Sequence, residues 1–250
     1  MKRLMLAAAL AILVPTAAGA AEGPAIPAHG WPSDGLFGRF DKTALQRGFQ
    51  VYEQVCSACH SLKYIYFRNL TEIGLSTDQA KAIAAEAEVE DGPDDQGEMF
   101  TRPGKLSDPL PRPFPNPQAA RAANNGALPP DLSLITVARE GGADYVYALL
   151  TGFEEPPEGF ALGDGMNYNR YFPGHQIAMP PPLFPDAVTY TDGTPATVEQ
   201  MAADVAQFLN WTAEPRLEDR KRIGIKTFLF LLVLTGLFFA CKRKVWAKAH

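Results

Sequence analysis

Two cysteines and one histidine are the residues of this sequence whose types and spacing are best suited to chemistry. Cys56 and Cys59 are separated by two residues, and His60 follows directly. At this spacing each thiol can bond one vinyl group of a haem, while the adjoining imidazole binds the iron from one side. The pattern therefore predicts a covalently attached haem c with His60 as an axial ligand.

A thioredoxin-like dithiol and half of a zinc site are the alternative interpretations of a C-x-x-C pair. A zinc site needs further ligands of the same kind, and the only other cysteine, Cys241, lies near the far end of the chain. A thioredoxin-like dithiol occurs next to a βαβ pattern, which this sequence lacks. The histidine directly after the pair favours haem.

The second axial ligand is left open by the residues alone. Between residues 22 and 222, the thioethers and imidazoles available besides His60 are Met99, Met166, Met179, Met201, His29 and His175. Met201 falls on the apolar face of a predicted helix and Met99 in an acidic loop, which leaves Met166 and Met179, with His175 as the histidine alternative. Met179 begins a stiff Met-Pro-Pro-Pro segment that could hold a thioether against the iron.

The expected chemistry follows from the ligand count. With both axial positions filled, no substrate or oxygen can reach the iron, so we expect one-electron transfer. An axial methionine would raise the reduction potential. No nucleophile elbow or phosphate loop occurs, so we expect no independent catalytic site.

Helical periodicity predicts the elements that position these residues. The segment after Asp41, the predicted N-cap, runs as a helix to Val55 and leads directly into Cys56. A second helix begins at Thr197, which we expect to form a capping box with Gln200, and its apolar face can pack on the first. Shorter helices are predicted from Pro130 to Arg139 and over residues 144–150. Strand alternation is nearly absent.

A proline-rich stretch over residues 92–117 is expected to be irregular. Either it is partly disordered, or its apolar residues pack against something; those residues are Phe100, Leu106, Leu110 and Phe114. The predicted fold class is mostly α, a cytochrome c-like haem domain with long irregular loops, plus one C-terminal transmembrane helix.

Both ends of the chain predict a relation to a membrane. Residues 1–21 have the basic start, apolar run and small-residue end of a cleaved signal peptide, so the mature chain would begin near Glu22. Residues 223–241 carry one charge, Lys226, and predict a transmembrane helix. We therefore expect a haem domain over residues 22–222 outside the inner (cell) membrane, on the periplasmic side, and a cytoplasmic tail over residues 242–250.

Charge is distributed unevenly along the chain. Residues 22–220 contain all 28 acidic residues and 14 basic ones, a net charge of −14, although the whole chain has −5. Such a surface repels nucleic acid and attracts basic proteins. Solubility alone is the other explanation.

Several further stretches, taken with the haem motif, resemble the cytochrome c1 family, the haem-carrying subunits of the ubiquinol–cytochrome c oxidoreductase (cytochrome bc1) complex. They are Gly48–Tyr52 with Cys56–Ser61, Ala119–Ser133, Tyr145–Phe153, Asn169–Gly174, Met179–Pro182, Asp192–Thr197 and Ala213–Pro215. Together they span most of the chain after residue 22, and they are far more specific than C-x-x-C-H alone.

The resemblance implies Met179 as the second axial ligand and Arg121 as the partner of a haem propionate, which a guanidinium can bind in two-pronged fashion. It implies cytochrome b as a neighbour, the Rieske iron–sulfur protein as donor, cytochrome c as acceptor and a dimeric complex. The acidic residues between Glu86 and Glu98 suit the steering of a basic cytochrome c, although such a run is usually a solvated face. The outer domain lacks the extra cysteine pair of some bacterial relatives, which excludes a disulfide there.

Two other functions compete with an electron-relay subunit. A membrane-tethered free electron carrier would share the haem and the anchor but would need fewer long loops. A haem enzyme or ligand sensor would have an open iron position.

Overall fold

A computed structural model describes residues 24–247 of the chain. The predicted signal peptide, residues 1–21, lies outside the described residues, as do the last three residues of the predicted tail. Within the described part the structure is mostly helical, as predicted.

The elements follow one another with long connections. The helices are α1 Lys42–Gln54, α2 Thr77–Glu86, α3 Pro117–Ala123, α4 Ile135–Ala138, α5 Gly142–Thr151, α6 Val198–Ala213 and α7 Leu217–Trp246, with 3₁₀ turns at Cys56–Ala58 and Phe67–Thr71. The strands β1 Glu88–Asp91 and β2 Phe100–Pro103 form one antiparallel hairpin, and β3 Asn167–Tyr168 and β4 Gln176–Ile177 form another.

The two principal helices begin at the residues that the sequence indicates. The Asp41 carboxylate accepts from the backbone N–H of Thr43 at 2.9 Å, and the Thr197 hydroxyl accepts from that of Gln200 at 3.1 Å. The predicted capping box is only half formed, because the Gln200 amide donates to Asp204 instead of returning to Thr197.

The helices α1 and α6 cross closely at Gly48, as the two apolar stripes predict. A Cβ atom at Gly48 would lie 2.1 Å from the carbonyl oxygen of Asp204 and 2.6 Å from Cβ of Phe208. Phe49 and Tyr52 of α1 pack on the Phe208 ring at 5.7 and 6.0 Å between centroids. This crossing is the centre of the core and fixes the end of α1, where the cysteine pair begins.

The proline-rich stretch is largely ordered by its neighbours. Leu110 is buried and its N–H donates to Ile65, while the backbone N–H of Phe67 donates to the carbonyl of Asp108. Leu106 and Phe114 are half-buried, and Phe100 is 44% exposed on β2. Here the polar hairpin β1–β2 satisfies the backbone hydrogen bonds without an apolar face.

The C-terminal helix α7 runs for 30 residues and is long and apolar enough to cross a membrane. The predicted span, residues 223–241, lies inside it, and the basic residues on either side continue the same helix. Its apolar segment packs against nothing in the described part of the chain. The helix fits a membrane-anchored protein.

Candidate haem site

The cysteine pair lies on a single tight turn at the end of α1. The backbone N–H groups of Cys59 and His60 both donate to the carbonyl of Cys56, at 3.1 and 2.9 Å. Both thiols are free; Cys56 packs partly against the core, and Cys59 is exposed. Burial is the main cause that raises the pKa of the Cys56 thiol to about 12, and the neighbouring Cys59 adds to it. This thiol is therefore neutral at pH 7.

The His60 ring is held in one tautomer. Its Nδ1 lies 2.7 Å from the carbonyl oxygen of Pro130, and because a carbonyl can only accept, Nδ1 carries the proton. Nε2 is then the atom with a lone pair for a metal. Burial lowers the pKa of His60 and outweighs the hydrogen bond to Pro130, which acts to raise it. The lowered pKa favours the neutral imidazole, the form that binds metals. The Tyr52 hydroxyl donates to the His60 carbonyl at 3.0 Å.

Residues 130–133, which we call the strap, are bound along residues 60–64. The Asp131 carboxylate accepts from the Ser61 hydroxyl at 2.7 Å, from the Lys63 N–H at 2.9 Å and from the Ser133 N–H at 3.1 Å. Burial acts to raise the pKa of Asp131, but these hydrogen bonds outweigh it and lower that pKa. The Leu132 N–H donates to the Ser61 carbonyl at 2.9 Å. The strap therefore fixes the carbonyl that orients His60.

Met179 is positioned by the second hairpin. It follows β4 by two residues, and its carbonyl accepts from the Asn167 side-chain amide on β3 at 3.3 Å. The fully buried Asn169 supports this hairpin: its Nδ2 donates to the Leu149 carbonyl on α5, at 2.8 Å. Four residues after Met179, Leu183 enters the core. The Met179 segment is thus attached at both ends to the packed domain.

The other candidate ligands have different surroundings. Met201 is fully buried in the core, as expected, and Met99 is 56% exposed. His175 donates from Nδ1 to the Arg170 carbonyl at 3.0 Å and stacks on the Tyr168 ring. His29 is sandwiched between Trp31 and Tyr147, with ring centroids 4.3 Å away on each side.

Arg121 lies on the short helix α3 with its side chain exposed. Its Nη1 donates to the carbonyl of Gly126 at 2.8 Å, which directs the guanidinium back over its own helix end. Arg139, at the end of α4, is the next exposed guanidinium after the strap.

A cavity of about 270 Å³ lies beside the cysteine turn, but its lining contains neither His60 nor Met179. Phe49, Ser57, Phe67 and Leu110 are among its walls. We do not assign the haem to it.

The donor set fits a c-type haem. Two free thiols one turn apart suit two thioether bonds, and an imidazole with a committed Nδ1 and an available Nε2 suits the iron. The comparison with protein families agrees, because residues 31–249 match the Cytochrome C1 family. The chain belongs to the cytochrome c1 family.

Curated relatives support the same family. The chain is 56% identical to the mitochondrial cytochrome c1 haem protein of Schizosaccharomyces pombe, over 87% of this chain and 71% of the relative. It is 48% identical to cytochrome c1 of Rhodospirillum rubrum, over 98% of this chain and 96% of the relative. It is 55% identical to the cytochrome b-c1 complex catalytic subunit of Candida albicans, over 88% and 77%.

Membership of the cytochrome c1 family makes this chain a haem-containing c-type cytochrome of the respiratory electron-transport chain, as predicted. The relatives are cytochrome c1 proteins and bc1 complex subunits, so the free-carrier alternative is not favoured. The sequence predicts Cys56, Cys59 and His60 as haem-binding residues, and their role stays a prediction. The supporting contacts of Pro130, Asp131 and Asn169 are not predicted, although all three residues lie in stretches that carry the family resemblance. Pro130 and Asp131 follow a turn at Gly126, but the Pro130 carbonyl that contacts His60 has no residue-type signature.

Proposed function

We propose that this chain relays single electrons within a dimeric quinol-oxidising bc1 complex, from the Rieske iron–sulfur protein to a cytochrome c, with cytochrome b as its neighbour. One haem c per chain would be held covalently by Cys56 and Cys59, with its iron bound by His60 and Met179. Bound there, the haem supplies a one-electron iron couple. The observation that carries the proposal is the 2.7 Å hydrogen bond from His60 Nδ1 to Pro130, which leaves Nε2 for iron.

The protein's contribution is to hold both ligands still. His60 is fixed through its ring by Pro130 and through its backbone by Tyr52. Met179 is held by its hairpin and by the stiff prolines that follow. Iron ligands that do not move between the two oxidation states would keep the reorganisation energy of electron transfer low. Because His60 and Met179 would fill both remaining iron positions, no substrate could bind the iron.

The ligand assignment is tested by Met179→Leu, with His175→Leu as the matched control. Met179→Leu should keep the haem covalently bound, lower its redox midpoint strongly and allow carbon monoxide to bind the reduced protein. His175→Leu should leave the midpoint unchanged. Redox titration with reduced-minus-oxidised spectra measures both. A midpoint that falls only in the His175 variant would transfer the ligand role to His175.

Arg121 is proposed as a propionate partner on the resemblance, since its exposed guanidinium retains donors beyond the one used on Gly126. Arg139→Gln is the matched comparison, because Arg139 follows the strap that contacts His60. Arg121→Gln should shift the redox midpoint more than Arg139→Gln does. The reverse order would move the propionate role to Arg139.

The proposed acceptor contact is the acidic surface around the β1–β2 hairpin. Six of its seven carboxylates are exposed; the surface consists of Glu86, Glu88, Glu90, Asp91, Asp94, Asp95 and Glu98. Asp91 is paired with Arg102, so the others supply the free negative field. Replacing three exposed acids with amides should slow reduction of a basic cytochrome c at low salt and flatten its salt dependence.

The proposed topology follows from the anchor and the signal peptide. The haem domain lies on the periplasmic side of the cell membrane, and the C-terminus is cytoplasmic. Mild detergent extraction should give a complex containing cytochrome b and the Rieske protein. A lone haem-loaded monomer would instead support a free, membrane-tethered carrier.

A further inference from the structure

The loop formed by residues 31–40, which we call the foot, lies against the start of the membrane helix. The Lys221 ammonium on α7 donates to the carbonyl of Ser33 at 2.5 Å and to that of Gly38 at 3.4 Å. The Phe40 N–H donates to the Glu218 carboxylate at 2.9 Å. The foot is therefore attached to α7 from both of its sides.

The foot is also rigid. The Asp34 N–H donates to the Trp31 carbonyl, and the Arg39 N–H donates to the Pro32 carbonyl, each at 2.9 Å. A Cβ atom at Gly38 would lie 1.9 Å from the Asp34 carbonyl oxygen, so only glycine fits this turn. Trp31 is buried, and its indole donates to Asp144 on α5 at 2.7 Å. The loop is held between the haem domain and α7.

Two large apolar side chains form the tip of this rigid loop and remain exposed. Leu36 is 60% exposed and Phe37 is 79% exposed, and Arg39 beside them is exposed as well. A fixed loop gains nothing in water by presenting adjacent leucine and phenylalanine side chains. Their exposure points to a surface that covers them.

The position of the foot indicates which surface that is. The apolar segment of α7 begins at Ile223, two residues after Lys221, which corresponds to about 3 Å along a helix. Each polar headgroup layer is roughly 5–8 Å thick, so carbonyls bound by Lys221 belong to the height of that layer. Apolar side chains with an adjacent cation suit the boundary between headgroups and acyl chains.

We propose that Leu36 and Phe37 insert into the lipid leaflet on the haem-domain side, so that the foot is a second membrane contact beside α7. The occupant is lipid: aliphatic acyl chain against the two side chains and phosphate near Arg39. Together with α7 this second contact would fix the tilt of the haem domain above the membrane.

The proposal is tested by spin labelling at Phe37→Cys in a Cys241→Ser background, in the haem-loaded complex reconstituted into phosphatidylcholine and phosphatidylglycerol vesicles. Phe100→Cys, an exposed phenylalanine on the β1–β2 hairpin, is the matched control. Electron paramagnetic resonance compares the accessibility of each label to oxygen and to a water-soluble nickel chelate. The oxygen-to-nickel ratio should be at least about threefold higher at position 37, because oxygen partitions into apolar phases and the chelate does not.

Two results would overturn the proposal. A ratio equal to that at position 100 would place the tip in water. Low accessibility to both reagents at position 37 would mean that a neighbouring subunit covers it. Both substitutions are at exposed positions, so folding does not confound the comparison.

Discussion

Removal of the Asp131 carboxylate should loosen the strap that orients His60. In Asp131→Ala the Ser61 hydroxyl and the N–H groups of Lys63 and Ser133 lose their shared acceptor. Hydrogen bonds to a charged group contribute about 1.5–3 kcal/mol each, and since this carboxylate is only half-buried and its bonds are not additive, we expect about 3 kcal/mol in total. For a domain of this size that corresponds to a fall in Tm of roughly 6–12 °C.

The assay is thermal unfolding of the detergent-solubilised, haem-loaded protein, followed by circular dichroism and by the haem absorption band. Asp164→Ala, an exposed carboxylate, is the matched control and should leave Tm unchanged. A double-mutant cycle of Asp131→Ala with Ser61→Ala should give a coupling energy of about 1 kcal/mol. Equal Tm values for the Asp131 and Asp164 variants would refute the role assigned to the strap.

Two further perturbations test the fold. Gly48→Ala should lower the free energy of unfolding by at least about 2 kcal/mol, because the backbone collision with α6 outweighs the gain in helix propensity. Gly224→Ala, with open space around it, should leave the free energy of unfolding of the haem domain unchanged, and urea unfolding measures this quantity for both variants. The Arg102 guanidinium lowers the pKa of Asp108 to about 2 in the folded protein. The Arg102–Asp108 pair therefore stabilises the fold above about pH 4, where the Asp108 carboxyl is ionised in the unfolded chain as well. This stabilisation is lost as the pH falls from 4 towards 2. Arg102→Gln should therefore be less stable than the original protein at pH 7 by urea unfolding, with a gap that narrows below pH 4; a constant gap would contradict this.

The parts of the site that the sequence predicts are those whose spacing is itself the mechanism. Cys56, Cys59 and His60 require only a turn of chain, so their role can be inferred without tertiary structure. The Pro130 carbonyl acts on His60 from 70 residues away. A backbone acceptor has no residue-type signature, so no pattern of side chains could identify it.

The fold shows the same division. The helices α1 and α6 combine a cap with an apolar face, and both begin where the sequence indicates. The helix α2 has an equally clear capping box from Ser76 and Gln79, but its face is mostly alanine and gives little periodic contrast. The hairpins are short and polar, and their pairing depends on long-range contacts that period-two patterns do not record.

The helix α6 links the proposed haem ligands to the membrane anchor. The Thr212 hydroxyl donates to the Leu209 carbonyl at 2.8 Å and lies 3.3 Å from the Ser133 carbonyl, a contact that joins the strap and thus His60 to α6. The Met179 hairpin is bound to α5 through Asn169, and α5 packs against α6. Three residues separate the end of α6 from the start of α7, and Arg220 pairs with Glu214 across this junction at 2.6 Å. A substitution that loosens α6 should therefore disturb the haem environment and the orientation of the domain on the membrane together, whereas one confined to the Met179 hairpin should change only the haem.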